Sequence, residues 1–98
     1  MAKFDKLNPL IHAPVRLAVL TVLSQVLEAN FNYLKDIIDT TDGNLSTHLT
    51  KLEKAELITI TKGYSGKIPQ TTCAITDQGR RAYGSYLQSL QSYLEQDK

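Results

Sequence analysis

The sequence predicts a mainly α-helical domain that carries one small antiparallel β-hairpin and closes on a long helix. Three observations predict it. Leu45, Leu49 and Leu52 recur at i, i+4 and i+7 in the stretch DGNLSTHLTKLEKAELI, residues 42–58, which makes one apolar stripe on a helix. Immediately afterwards the period drops from 3.6 to 2, through Leu57, Ile58, Thr59, Ile60, Thr61 and Lys62. Finally, Tyr83, Tyr86, Leu87, Leu90, Tyr93 and Leu94 keep the 3-4-3 spacing of a coiled-coil seam.

Taken in order, residues 1–8 are expected to be a loose or short helical lead-in. Pro9 and Pro14 punctuate, and Pro14 suits the first turn of a helix, where its missing N–H costs nothing. Val15, Ala18, Val19, Val22, Leu23 and Val26 hold helical spacing, and Leu17, Leu20 and Leu27 widen the stripe, so this helix is expected at the centre of the core. Arg16, its one charge before Glu28, is expected to pair with a carboxylate of its own fold. Asn30 is a good N-cap for a short helix from Phe31 to about Ile38, with Phe31, Leu34, Ile37 and Ile38 facing inward.

The turn over residues 39–43 is rich in capping residues, with Thr41 or Asp42 as the cap of the next helix. Helix, short turn and helix make a helix-turn-helix unit, whose second helix can enter a DNA groove. On residues 44–55 the side opposite the leucines carries Gly43, Thr47, Thr50, Lys51 and Lys54, flanked by Asn44 and Ser46, with no large apolar residue and no acid. Short polar groups interleaved with lysines suit base edges and phosphates. A polar outer face is common to amphipathic helices, so the helix alone does not decide the matter. His48 projects to the boundary of the leucine stripe, better placed to bridge helices than to read bases.

The hairpin is expected over residues 59–75, with Gly63 to Pro69 as a seven-residue turn and Thr71 to Ile75 as the returning strand. Lys62, Tyr64 and Lys67 stand where a hairpin tip can touch a backbone or enter a minor groove. Thr76 or Asp77 then caps a helix running to about Gln96, close to 30 Å at 1.5 Å per residue. The rest of the domain is too small to cover its whole stripe, so Tyr83, Tyr86, Leu87, Leu90, Tyr93 and Leu94 are expected to pair with a second copy across a two-fold axis. The competing arrangement folds this helix back on its own domain.

Composition bounds the rest. Ninety-eight residues fit a single domain. No apolar run approaches the roughly 20 residues of a membrane span, and the first residues lack a signal-peptide core, so a cytoplasmic location without a membrane partner is expected. Cys73 is the lone cysteine, and no Cys/His cluster has zinc spacing, so no metal and no cofactor are expected. The net charge is +1, with the surplus of Lys51, Lys54, Lys62 and Lys67 over Glu53 and Glu56 lying in residues 43–72. His12, His48 and Cys73 form no nucleophile–base arrangement and no glycine-rich phosphate loop is present, so no catalytic residue is assigned and no enzyme expected.

The order helix, helix, helix, hairpin, long helix resembles the winged helix-turn-helix transcriptional regulators of the broad MarR/ArsR/PadR-like group. The similarity is closest to small one-domain members whose final helix makes the dimer. It is carried by Asn8-Pro9-Leu10-Ile11-His12-Ala13-Pro14-Val15-Arg16, Asp42-Gly43-Asn44-Leu45-Ser46-Thr47-His48-Leu49, Leu52-Glu53-Lys54-Ala55, Pro69-Gln70-Thr71-Thr72 and Thr76-Asp77-Gln78-Gly79-Arg80, from about residue 7 to 95. The resemblance implies a single winged helix-turn-helix domain over residues 1–98, with residues 76–96 as the dimerisation helix. It implies that the helix 44–55 lies in the major groove of double-stranded DNA, with Asn44, Ser46, Thr47, Thr50 and Lys51 nearest the DNA. The wing around Lys62–Lys67 would flank it. Relatives usually have glycine where this chain has Glu56, often an aromatic where it has Cys73, and arginine at the wing tip where it has lysine. ArsR-like metal sensors carry paired cysteines, which this chain lacks.

The expected function is therefore a homodimeric, sequence-specific DNA-binding regulator. Asn44, Thr47 and Thr50 would read bases, and Lys51, Lys54, Lys62, Lys67 and one of Arg80 or Arg81 would meet phosphates. The alternative is a winged-helix protein-interaction module that never touches DNA. A small-molecule effector has room between the first helix and the final helix near Tyr83 and Tyr86, but nothing in the sequence demands one.

Overall fold

A computed structural model describes residues 6–95. Along the chain run helix α1 (Pro14–Leu23), the two-residue strand β1 (Ala29–Asn30), helices α2 (Phe31–Ile38) and α3 (Asp42–Lys54), strands β2 (Ile58–Ser65) and β3 (Ile68–Ile75), and helix α4 (Asp77–Leu94). This is the mainly α domain with a hairpin that the sequence predicts. Most of the expected lead-in over residues 1–8, and Gln96 as a helix end, lie outside the described residues.

Local chemistry sets each helix start. Asn30 accepts a hydrogen bond from the Tyr33 amide at 2.8 Å, Thr41 from the Asn44 amide at 3.1 Å, and Thr76 from the Gly79 amide at 2.9 Å. Such caps are worth about 1 kcal/mol each. Pro14 opens α1 without a side-chain cap. Leu45, Leu49 and Leu52 bury the whole stripe of α3 against Ile11, Val19, Leu20, Leu23, Leu34 and Ile58. At about 1.5–3 kcal/mol per fully buried leucine, that contact is what holds α3 to the body.

Several expectations are corrected. α1 ends at Leu23 rather than continuing past Val26, and Leu27, expected on its stripe, is 93% exposed. The helix is apolar all round, so spacing alone could not say which side faces in. The buried line is Val19, Leu20 and Leu23, while Val15, Ala18 and Val22 lie half-buried beside a surface groove. Ile37, expected inward, is 54% exposed; α2 directs Leu34 to the core. β1 was not foreseen: Ala29 pairs with Cys73 and Asn30 with Thr72, which gives a three-stranded antiparallel sheet in the order β1-β3-β2.

The strands of the wing are longer and its turn tighter than expected. β2 and β3 stay paired from Ile58–Ile75 out to Ser65–Ile68, so Gly66 and Lys67 alone make the turn. Gly66 has φ 66° and Lys67 does not share a positive φ, the glycine-first pattern of a type II′ hairpin. Pro69 is tolerated within β3 because β1 reaches only Thr72 and Cys73, leaving the Pro69 end of β3 with one open edge.

α3 closes with a Schellman loop. The Leu57 amide bonds the Leu52 carbonyl at 3.0 Å and the Glu56 amide bonds that of Glu53 at 2.9 Å. Glu56 therefore stands in the left-handed region, φ 66°, which favours glycine. The helix end expected at Ala55 lies at Lys54, and Ala55 is its C-cap. The loop is clamped to the start of α4: Thr76 Oγ1 donates to the Glu56 carbonyl at 2.7 Å and the Thr76 amide to that of Leu57 at 3.0 Å. A Cβ on Gly79 would sit 2.0 Å from the Leu57 carbonyl oxygen, so only glycine fits there.

The first half of α4 folds back on its own domain. Tyr86, expected at a subunit interface, is 3% exposed in the core, and its hydroxyl meets His12 Nδ1 at 2.8 Å. Tyr83 is half-buried, its hydroxyl 2.9 Å from Thr21 Oγ1. Farther along, Leu87 and Leu94 are exposed, and Leu90 is half-buried against the core.

Candidate nucleic-acid interface

α3 presents its polar side outward because its leucines turn the opposite side in. Asn44, Ser46, Thr47, Thr50, Lys51 and Lys54 are all exposed, as are Lys62 and Lys67 on the wing. The hydroxyls of Thr47 and Thr50 donate back to the carbonyls of Gly43 and Ser46, at 3.0 and 2.9 Å. Asn44 donates from its amide to Thr40 Oγ1 at 2.8 Å, which holds it against the α2–α3 turn. That turn passes through Asp39 at φ 62°, a left-handed conformation that aspartate tolerates better than most residues.

Between α3 and the wing lies a cleft of about 360 Å³ lined by Phe31, Asp42, Ser46, Leu49, Thr50, Ile60, Lys62 and Thr71. It brings together three of the expected DNA contacts, Ser46, Thr50 and Lys62. Lys67 stands apart at the hairpin turn, and Asn44 and Lys54 mark the two ends of α3. Phe31, Thr71 and Asp42 were not expected at this surface, since only the fold carries them to the cleft. Asp42 places an acid there, but Lys35 Nζ meets its Oδ1 at 2.9 Å. The hydrogen bond and charge of Asp42 hold the Lys35 pKa above its ordinary value.

Behind α3, Arg16 secures the helix to the lead-in. Its Nε donates to the Leu10 carbonyl, its Nη2 to that of Pro9 at 3.5 Å, and its Nη1 to His48 Nδ1 at 2.9 Å. The expected carboxylate partner is thus replaced by two carbonyls and an imidazole. His48 bridges helices as expected. Because a guanidinium only donates, His48 must accept at Nδ1 and be neutral; burial, then the charges of Arg16 and Lys51, hold its pKa below 6.5. Arg80 is also engaged within the fold, donating to the Ser24 carbonyl at the end of α1 at 3.2 Å, whereas Arg81 is exposed.

Cys73 is fully buried, and burial together with the charge of Glu53 pushes its thiol up to about 11, so it is protonated and inert at neutral pH. Among the described residues, no group of three or more His, Cys, Asp or Glu is placed to hold a metal, and no helix is long and apolar enough to cross a membrane.

A family described as a winged helix DNA-binding domain matches residues 15–94. An uncharacterized protein of Methanocaldococcus jannaschii is 37% identical over 73 residues, 74% of this chain and 79% of that protein. Among solved structures, a transcriptional regulator homologue protein from Pyrococcus horikoshii OT3 is similar with a TM-score of 0.82 and 30% identity, over 88% of this chain and 85% of that one. The putative transcriptional regulator ytfH from Salmonella typhimurium is similar in fold alone, with a TM-score of 0.74 and 16% identity over 88% of this chain and 75% of that one. The resemblance drawn from the sequence is borne out: with α2 and α3 as its helix-turn-helix and β2–β3 as its wing, the chain belongs to the winged helix DNA-binding domain family.

Proposed function

We propose that this chain is a homodimeric, sequence-specific DNA-binding regulator of transcription. α3 enters the major groove, the wing lies on the flanking backbone or minor groove, and the two α4 helices of a dimer pack together through Leu87, Leu90, Tyr93 and Leu94. The observation that carries the reading is the outward face of α3. Its exposed threonines and lysines lie opposite the buried leucines, and this face opens onto the cleft beside Lys62, where the acid of Asp42 is paired with Lys35. Exposed apolar side chains on the far half of α4 support the dimer. Two α3 helices related by a two-fold axis would address half-sites about 34 Å apart.

A salt titration of binding to duplex DNA, with sedimentation to fix the oligomer, tests this. Affinity should fall steeply, with a log–log slope of about −0.9 per neutralised phosphate, and the species should be a dimer. Absence of binding even at about 50 mM salt would sink the reading.

A protein-interaction module is the second reading, favoured by a groove of about 470 Å³ between α1 and α2 that Val15, Ala18, Val22 and the exposed Ile37 line. Lys51→Glu with Lys54→Glu separates the two. Charge reversal abolishes DNA binding under the first reading and leaves a partner in the groove undisturbed under the second.

A further inference from the structure

We infer that Thr47 and Thr50 make α3 a reader of two neighbouring A·T pairs and exclude guanine beneath them. The inference rests on the DNA-binding reading above and gives it a base chemistry. A threonine hydroxyl has one proton and two lone pairs. In both residues the proton is committed to the helix, to the Gly43 carbonyl at 3.0 Å and the Ser46 carbonyl at 2.9 Å. Each exposed side chain therefore turns outward only lone pairs and a γ-methyl group.

The major groove answers this pair of features unevenly. Amino donors occur there only on adenine N6 and cytosine N4, the methyl group only on thymine, and guanine offers two acceptors. An acceptor-only hydroxyl meets a guanine edge lone pair against lone pair. A cytosine gives it a donor but no methyl partner. An A·T pair supplies both the N6 donor and the C5 methyl on one edge. The two threonines are three residues apart, about 4.5 Å along the helix axis. A base step is about 3.4 Å, so the two side chains, on one face of the helix, are close enough to reach adjacent pairs.

The test starts from a random-sequence duplex library, from which the wild-type protein selects its site. Two analogues are then placed in the selected site: deoxyuridine for thymine, which removes only the methyl group, and purine for adenine, which removes only the 6-amino group. Each should weaken wild-type binding by roughly fivefold, the size of one neutral hydrogen bond or a buried methyl group. The deoxyuridine effect should vanish in Thr47→Ser and Thr50→Ser, which lack the methyl. The purine effect should vanish in Thr47→Val and Thr50→Val, which lack the hydroxyl. A selected site with guanine beneath both threonines, or one whose affinity ignores both analogues, overturns the inference while leaving a DNA-binding protein. Failure to enrich any site overturns the regulator reading as well, so the two failures are distinct.

Discussion

α3 and α4 are both amphipathic in sequence, yet they use their apolar stripes differently. Leu45, Leu49 and Leu52 of α3 are 0–2% exposed. In the apolar stripe of α4 only Tyr86, 3% exposed, comes near that depth, while Leu87 is 41% and Leu94 77% exposed. The reason is reach. α3 lies across the body, whereas α4 is anchored at Thr76 and Gly79 and runs on past it, in a molecule 58 Å long but only 25 × 21 Å in section. A stripe buried within the subunit stabilises the fold; one left outside can stabilise only an assembly.

That contrast can be broken most forcefully in α3. Leu52→Ala should destabilise the subunit by about 3 kcal/mol, read from the midpoint of denaturant unfolding. Leu94→Ala should leave the subunit within about 0.5 kcal/mol of wild type yet weaken the proposed dimer in sedimentation. Equal losses of subunit stability would erase the distinction. Gly79→Ala tests the anchor of α4. A methyl group 2.0 Å from the Leu57 carbonyl oxygen forces helix and loop apart, at about 2–3 kcal/mol, again read by unfolding.

Glu56→Gly should act in the opposite direction. It relieves a left-handed residue at the C-terminus of α3 and should raise stability by about 1 kcal/mol, seen as a higher melting temperature. The smallest effect concerns the back of α3. The His48 pKa is lowered in the folded chain and returns to about 6.5 on unfolding. Its contribution to stability is thus present above pH 6.5 and lost as pH falls through the folded value. His48→Gln should flatten the fall of stability below pH 6.5, measured by urea unfolding across that range. The change will be small because the ring is only half-buried.

The framework of α3 was legible because three independent signals agreed there: a leucine period, a cap at Thr41 or Asp42, and the change of period at Leu57. Where signals were degenerate, sequence misled. α1 has apolar residues on every side, so the exposure of Leu27 could not be foreseen. A two-residue strand such as β1 is too short to show any period. Gly63 and Pro69 read as turn residues, but Gly66 alone supplies the positive φ, and the open edge of β3 accommodates the proline. Arg16 found carbonyls rather than a carboxylate because the chain Pro9–Leu10 folds over it, a long-range event with no local mark. Of the expected DNA contacts, the exposure of the eight on α3 and the wing was readable from helical phase and hairpin position. The binding of the Thr47 and Thr50 hydroxyl protons was not.

The glycine at position 79 also has a mechanical consequence. With no Cβ between α4 and the Leu57 carbonyl, the C-terminal loop of α3, the root of the wing and the first turn of α4 pack in direct contact, tied by the hydrogen bonds of Thr76. In a dimer built on α4, a change in the crossing angle of the two helices would pass undiminished to both recognition helices. Acting over an arm of about 17 Å, half the one-turn separation of half-sites, a tilt of about 11° displaces each recognition helix by about 3.4 Å, one base step. In such a dimer the register of the two α3 helices on DNA would be set by the angle at which the long helices cross.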